Sequence, residues 1–370
     1  MNMRDEEILD NFIQSRNLKP ITRRGYKYVL EQYTQFHHMT LQELLTEAET
    51  EEDQGIRWKH RRLKNRLITF RNYLQDNYLN NTAKKNFSRI LTFYRHHEIE
   101  IHTLPPFNEK NSTFPEAITF DKLPDKEIIK HALKIADTPV MRAIILFMSS
   151  SGCARAETLK LTVGDFIEAT KPYHNKTDIY NALNILKERE DVIPTFKLRR
   201  QKNNKFYYTF CTPEATTEIT EYLISRKKQL THTDKLFKIH EIWLSNKFSE
   251  LNDQLNLGRI GKHRRLRSHM LRKFHASYLL NDGMNKDDVN MLQGKTRNTT
   301  DESYFYDDPK KLQEKYMQHM GAVTINLDVN NLDLKSPEYI ELETENKQLK
   351  EDKEVLNDLI LRIKKLEEMQ

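Results

Sequence analysis

Residues 267–279 read RSHMLRKFHASYL, and this stretch decides how the chain is understood. The pattern predicts a helix near 266–281, with Gly283 placed as its C-terminal stop. His269 and Arg272 are three residues apart, so on that helix they share a face. Such a pair alone is common on basic helices. Upstream, residues 149–166 (SSSGCARAETLKLTVGDF) put Arg155 and Glu157 at the start of a helix that follows an apolar one. Downstream, residues 292–309 (LQGKTRNTTDESYFYDDP) carry Gly294 and Lys295, with Tyr304 falling 32 residues after Arg272. Together these residue types make a coherent chemistry. Guanidinium groups neutralise a phosphate that gains charge in its transition state. Tyrosine can attack covalently, and histidine and lysine can move protons.

The composition narrows the field. The chain has 370 residues, enough for two or three domains at about 150 residues each. Only 9 residues are Gly, and no G-x-G-x-x-G or G-x-x-x-x-G-K-[ST] string occurs, which argues against Rossmann, P-loop and turn-rich all-β folds. Two cysteines, Cys153 and Cys211, build neither a disulfide framework nor a four-thiolate zinc site, and a reducing cytosol suits them. The N-terminal MNMRDEEILDNF has no apolar signal-like core, and the longest apolar run, Ala143 to Met148, is too short to span a membrane. A mostly helical, soluble protein is expected.

Helical stripes run through Tyr26, Leu30, Tyr33 and Phe36, through Leu63, Leu67, Phe70 and Leu74, and through Ile90, Phe93 and Tyr94. Residues 103–117 are rich in Pro, Asn and Ser and read as a linker. Beyond it, helices are expected near 125–136, 139–150, 245–256, 286–293 and 309–320. Around 192–212 the period changes to that of two strands, with Asn203-Asn204 at the turn and Thr212-Pro213 opening the next helix. In the tail, Leu342, Leu349, Leu356 and Ile363 recur every seven residues, with Asn346, Lys353 and Ile360 on a second seam. That pattern fits a coiled coil, or a solitary amphipathic helix folding back on the body.

Lys plus Arg number 60 against 54 Asp plus Glu, a net charge of +6, and the basic residues are clustered. One block holds Arg57, Lys59, Arg61, Arg62, Lys64 and Arg66. A second holds Arg259, Lys262, Arg264, Arg265, Arg267, Arg272 and Lys273 with no acidic residue among them. The hairpin adds Lys197, Arg199, Arg200, Lys202 and Lys205. Any one block can be a solvated helix face. Three blocks spread along the chain point to a nucleic-acid partner. The tail after residue 321 is acidic and offsets part of this charge.

The combined spacing resembles that of tyrosine recombinases (the phage-integrase family), and especially the integrases of archaeal viruses and mobile elements. The His-x-x-Arg motif stands here as His269-Met270-Leu271-Arg272, and a second region stands as GKTRNTTDESY, with Gly294 ten residues before Tyr304. The resemblance implies a mainly α fold: a helical core-binding (SAM-like) domain over 1–105, a linker over 106–117, a catalytic domain with a small antiparallel sheet over 118–322, and a tail with a coiled-coil-like helix over 323–370. It implies that Tyr304 attacks the scissile phosphate and that Arg155 and Arg272 hold its non-bridging oxygens. Lys202 would protonate the leaving 5′-oxygen, His269 would assist proton transfer, and Lys295 would add a donor to the phosphate. Glu157 would support Arg155 and its helix. No cofactor is implied. The implied partner is double-stranded DNA at attachment sites, bound by a homo-oligomer (a tetramer) in the cytoplasm of a prokaryotic host. Arg57, Lys59, Arg61, Arg62, Lys64, Arg264, Arg265 and Arg267 are the expected DNA-facing residues.

The chain departs from the family pattern in three places. Ala154 stands where many relatives have Arg, and Arg155 follows it. Lys295 stands where His or Trp is usual. Tyr306 lies two residues from Tyr304 and is a rival nucleophile, as Lys197 and Lys205 are rivals to Lys202. Two other functions share these features: DNA relaxation by a type IB topoisomerase-like enzyme, and DNA binding by an accessory protein with impaired catalysis.

Overall fold

The structure, a computed structural model, describes residues 3–107, 116–200, 204–295, 308–326 and 334–367. The chain divides into two compact units, Met1–Ala117 and Ile118–Gln370.

The first unit is helical: α1 (Met3–Ser15), α2 (Pro20–His37), α3 (Leu41–Asp53), α4 (Arg62–Asn77) and α5 (Asn80–His96). Pro20 opens α2, where a fixed φ and a missing N–H cost nothing. Thr40 caps α3 reciprocally with Glu43: the Thr40 hydroxyl accepts the Glu43 N–H at 3.2 Å, and the Glu43 carboxylate accepts the Thr40 N–H at 2.8 Å. The three apolar stripes converge on one core. Its rings meet edge to face, Tyr33 against Phe70 at 4.9 Å and Phe12 against Phe93 at 5.5 Å between centroids. The start of α4 is capped from another helix. Buried Glu51, on α3, accepts the Arg62 N–H at 2.9 and 3.0 Å.

The second unit is built around α7 (Pro139–Ser151), in which every residue from Ala143 to Ser151 is buried. The three serines at its end bury their hydroxyls by returning them to carbonyls one turn back, as from Ser151 to Phe147 at 2.6 Å. Around α7 lie α6 (Lys126–Ile135), α8 (Arg155–Thr158), α9 (Val163–Ala169), α10 (Ile179–Lys187), α11 (Pro213–Ser225), α12 (Glu241–Gln254), α13 (Ser268–Asn281), α14 (Lys286–Leu292) and α15 (Pro309–His319). The helices α11 and α13 pack directly on α7.

A hairpin of β1 (Thr195–Arg199) and β2 (Phe206–Phe210) interrupts the helices, pairing Thr195 with Phe210 through Arg199 with Phe206. Asn204 supplies the positive φ of its turn, at 63°. A second hairpin, β3 (Arg259–Ile260) with β4 (His263–Arg264), lies where the sequence showed only a basic block. Gly283 ends α13 as expected, with φ 102°.

The tail helix α16 (Pro337–Glu367) lays its first turns on this unit. Ile340 is buried there, Thr344 donates to the Pro172 carbonyl at 2.7 Å, and Lys310 pairs with Glu341 at 2.6 Å. The buried Glu214 carboxylate, on α11, accepts the N–H groups of Ile325 and Asn326 at 2.6 and 2.8 Å, which ties down the chain leading to the tail. Among the described residues, no helix is long and apolar enough to cross a membrane.

Candidate active site

Three turns build the site. The first follows α7. Gly152 has φ 64°, and a Cβ there would lie 2.5 Å from the His275 ring, so both the backbone and the space require glycine. The second is Gly294, after α14, with φ 59° and the Tyr207 ring 2.6 Å from where a Cβ would stand. The third is the chain between β4 and α13.

Arg272, on α13, joins the first two turns. It is buried and donates to the Gly152 carbonyl at 2.5 Å and to the Gln293 carbonyl at 2.6 Å. Gln293 returns a bond from its side chain to the Arg272 carbonyl at 2.9 Å and stands 3.3 Å from His275. Arg200, at the end of β1, donates to the Gly294 carbonyl and so closes the hairpin onto the same turn. The guanidinium of Arg272 is thus held by main-chain oxygens with little rotamer freedom left.

Arg155, Arg267, His269 and Arg272 line one cavity of about 700 Å³. His269 faces solvent on the first turn of α13. Burial, and then the charges of Lys273, Arg267 and Arg272, hold its pKa below the ordinary histidine value, so it is neutral near pH 7 and can accept a proton. Lys295 follows Gly294. Partial burial, and then Arg272 and Arg200, lower its pKa, which makes its ammonium a readier proton donor. Arg155 opens α8, donating to the Ser245 hydroxyl at 2.9 Å and pairing with Glu241, both on α12. Glu157 does not touch Arg155 through any side-chain bond. Its carboxylate accepts the Ala154 N–H at 3.1 Å, the half of a reciprocal cap that alanine permits, and this fixes the start of α8.

Two buried groups near the site are unsuited to attack. Burial pushes the Cys153 thiol up to about 11 and raises Tyr207 as well, and the two contact each other at 3.8 Å. Lys202, Tyr304 and its rival Tyr306 lie outside the described residues.

The expected DNA-facing residues fall into two groups. Arg57, Lys59 and Arg62 are exposed, Lys64 is half-buried, and Arg267 opens on the cavity. Arg61, Arg264 and Arg265 are committed to the protein. Arg61 is buried, donating to the Ile56 carbonyl at 2.9 Å and to Glu52 at 3.1 Å. Arg264 grips Asp253 with bonds of 2.7–3.1 Å, and Arg265 donates to the carbonyls of Asp121, Lys122 and Leu123. The sequence reading missed Arg200 as the clasp of the Gly294 turn, and Ser245 and Glu241 as partners of Arg155. Arg200 carried a weak signal in ending a strand beside an Asn turn; the α12 pair carried none.

No family model and no curated protein matches this chain. Among solved structures it is similar to the XerA recombinase (16% identity over 85% of this chain and 98% of that one, TM-score 0.35). It is similar also to the Tn1549 transposon integrase in complex with transposon right end DNA (14% identity, 84% and 97% covered, TM-score 0.47). A third is the integrase from mycobacterium phage Brujita (12% identity, 86% and 91% covered, TM-score 0.33).

Proposed function

We propose that the chain is a tyrosine-type site-specific DNA recombinase that integrates and excises DNA in the cytoplasm of a prokaryotic host. The observation that carries this reading is the single cavity lined by Arg155, His269 and Arg272, with Lys295 beside Arg272, in a chain whose Tyr304 follows Lys295 by nine residues. Arg272 presents a preorganised charge to a phosphoryl group, and neutral His269 takes the Tyr304 hydroxyl proton as the phenolate oxygen bonds to phosphorus. The bond from phosphorus to the 5′-oxygen breaks, and that oxygen takes a proton from Lys202 or Lys295. Attack by the 5′-hydroxyl of another strand runs the steps in reverse. The phosphotyrosyl ester conserves the energy of the phosphodiester, so the exchange balances without a nucleoside triphosphate.

Arg155 takes part by leaving Glu241 for the phosphate. That ion pair is also the observation on which a catalytically impaired accessory protein would rest. A nicked suicide duplex carrying mapped attachment DNA decides between them. Wild type and Tyr306→Phe should accumulate covalent protein–DNA adducts, while Tyr304→Phe should accumulate none. Adducts persisting in Tyr304→Phe would overturn the nucleophile, and none in wild type would overturn the enzyme.

The assembly on DNA is proposed to be a homo-oligomer, a tetramer, joined in part by α16. Ile340, Thr344 and Gln348 face the body, and at 3.6 residues per turn Leu342, Leu349 and Leu356 fall on roughly the opposite side. Those leucines are 57%, 66% and 56% exposed, an apolar seam open to solvent. In a parallel pair Glu345 would face the partner's Lys350, and Asn346 would meet its own copy at a seam position that favours two strands. Leu349→Glu should abolish self-association in sedimentation equilibrium while leaving the fold intact, because Leu349 is exposed and lies outside the core. Unchanged association would remove α16 from the assembly.

A further inference from the structure

The basic run from Arg259 to Lys273 spends most of its arginines on the protein itself, and Arg267 has no such partner among the described residues. Arg264 is taken by Asp253, Arg265 by three consecutive carbonyls, and Arg272 by the Gly152 and Gln293 carbonyls. Arg267 differs. It is half-buried, and its Nε is fully buried with no hydrogen-bond partner among the described residues. Buried guanidinium donors are nearly always satisfied, because an unmade bond forfeits water without a replacement. Here the donor is left open in a fold that satisfies its neighbours thoroughly.

Its surroundings say what would satisfy it. Arg267 lines the same cavity as His263, His269 and Arg272. Its charge acts on His263, His269 and Lys273, holding the pKa of each down, behind burial as the larger cause in every case. No carboxylate is paired with it among the described residues. It is also the N-cap residue of α13, a helix of 14 residues, so the free N–H groups of the first turn point the same way as its positive charge. The part of Arg267 that lines the cavity is therefore open to an oxyanion from outside the chain. Arg267 precedes Arg272 by about 7 Å along the helix axis, and Arg272 is turned inward onto main-chain oxygens. The two guanidinium groups are better placed to serve neighbouring phosphates than one.

We infer that Arg267 anchors a DNA backbone phosphodiester beside the one that is cleaved. It does so through the part of its side chain that lines the cavity and through the first turn of α13. The inference rests on the proposed recombinase reading and deepens it. A contact of this kind holds substrate and transition state alike, so it governs affinity and not the chemical step. Arg267 is then a positioning residue whose electrostatic cost in the free protein is repaid only when DNA arrives.

The full-length protein, Arg267→Gln and Arg267→Lys are titrated with a mixed-sequence DNA duplex between about 50 and 200 mM salt, and the thermal midpoint of each is measured without DNA. Arg267→Gln is expected to bind at least about tenfold more weakly. Its slope of log affinity against log salt should be shallower by about 0.9, the loss of one phosphate contact. Its thermal midpoint should be no lower than wild type, since the substitution removes a buried donor that has no partner among the described residues. Arg267→Lys should keep the wild-type slope with weakened affinity. Wild-type affinity and slope in Arg267→Gln would overturn the inference, and so would a lowered midpoint in both variants, which would make Arg267 structural. If wild type itself bound no duplex, the recombinase reading would fall with it; binding by wild type with no change in Arg267→Gln sinks the anchor alone.

Discussion

The two basic blocks look alike in sequence and behave differently in space. Between Arg57 and Arg66, charge is absorbed by a neighbouring helix. Arg61 is buried against Glu52, Arg66 spans both carboxylate oxygens of Glu47 at 2.6 and 3.0 Å, and Arg62 reaches Glu47 at 3.6 Å. The acids come from α3 and act as a lining under α4, so Arg61, Arg62 and Arg66 belong to a structural ion-pair network, while Arg57 and Lys59 stay exposed. Between Arg259 and Lys273, Asp253 is the one carboxylate that pairs with an arginine among the described residues, and the other partners of these arginines there are carbonyl oxygens, which hold a guanidinium without cancelling its charge. The field of the second block therefore survives into the cavity at α13. Counting basic residues measures neither their reach nor their purpose; what decides is whether the fold brings carboxylates or carbonyls to them.

The largest effect that would break this contrast belongs to Arg272. If the carbonyl-held Arg272 at the cavity is a working arginine, Arg272→Ala should lower covalent cleavage by at least about a thousandfold, as removing a preorganised transition-state charge does. It should also destabilise the second unit by roughly 1–3 kcal/mol, because the Gly152 and Gln293 carbonyls lose their donor inside the protein. Adduct formation on the suicide duplex and denaturant unfolding read the two losses separately. Near-normal cleavage in a folded variant would show that Arg272 is a structural clasp only.

Much of this was legible in advance, for identifiable reasons. Long amphipathic helices such as α2, α4 and α13 announce themselves by period, and the β1–β2 hairpin by its change of period at an Asn turn. The helices α8 to α10 run four to nine residues, too short for a period to emerge, and the two-residue strands of β3 and β4 leave no pattern at all. The spacing of Gly152, Arg272 and Gly294 could be read, but the reason for it could not: Arg272 bonds a carbonyl 120 residues away, and the space at Gly152 is filled by His275 from the same helix. Arg61 and Arg264 stood in the expected DNA-facing set because their carboxylates lie on other elements, and the fold alone brings Glu52 and Asp253 to them. The same blindness hid Glu241 behind Arg155.

The smaller effect sharpens the comparison from the other block. Arg61 is held by the Ile56 carbonyl and by Glu52, with its side chain only 8% exposed. Truncating one partner of a buried pair leaves the other desolvated and uncompensated, so Arg61→Ala should cost the first unit about 2–3 kcal/mol in denaturant unfolding. Its phosphate contacts should be unaffected, because the guanidinium never faced solvent, and the salt slope of duplex binding should match wild type. Arg267→Gln is expected to do the reverse, holding stability and losing slope. The two substitutions each remove one positive charge from a basic block, so net charge cannot distinguish them; only the location of the partner can. A loss of salt slope in Arg61→Ala at unchanged stability would mean that the α3 acids do not own this block, and that the contrast between the two regions is wrong.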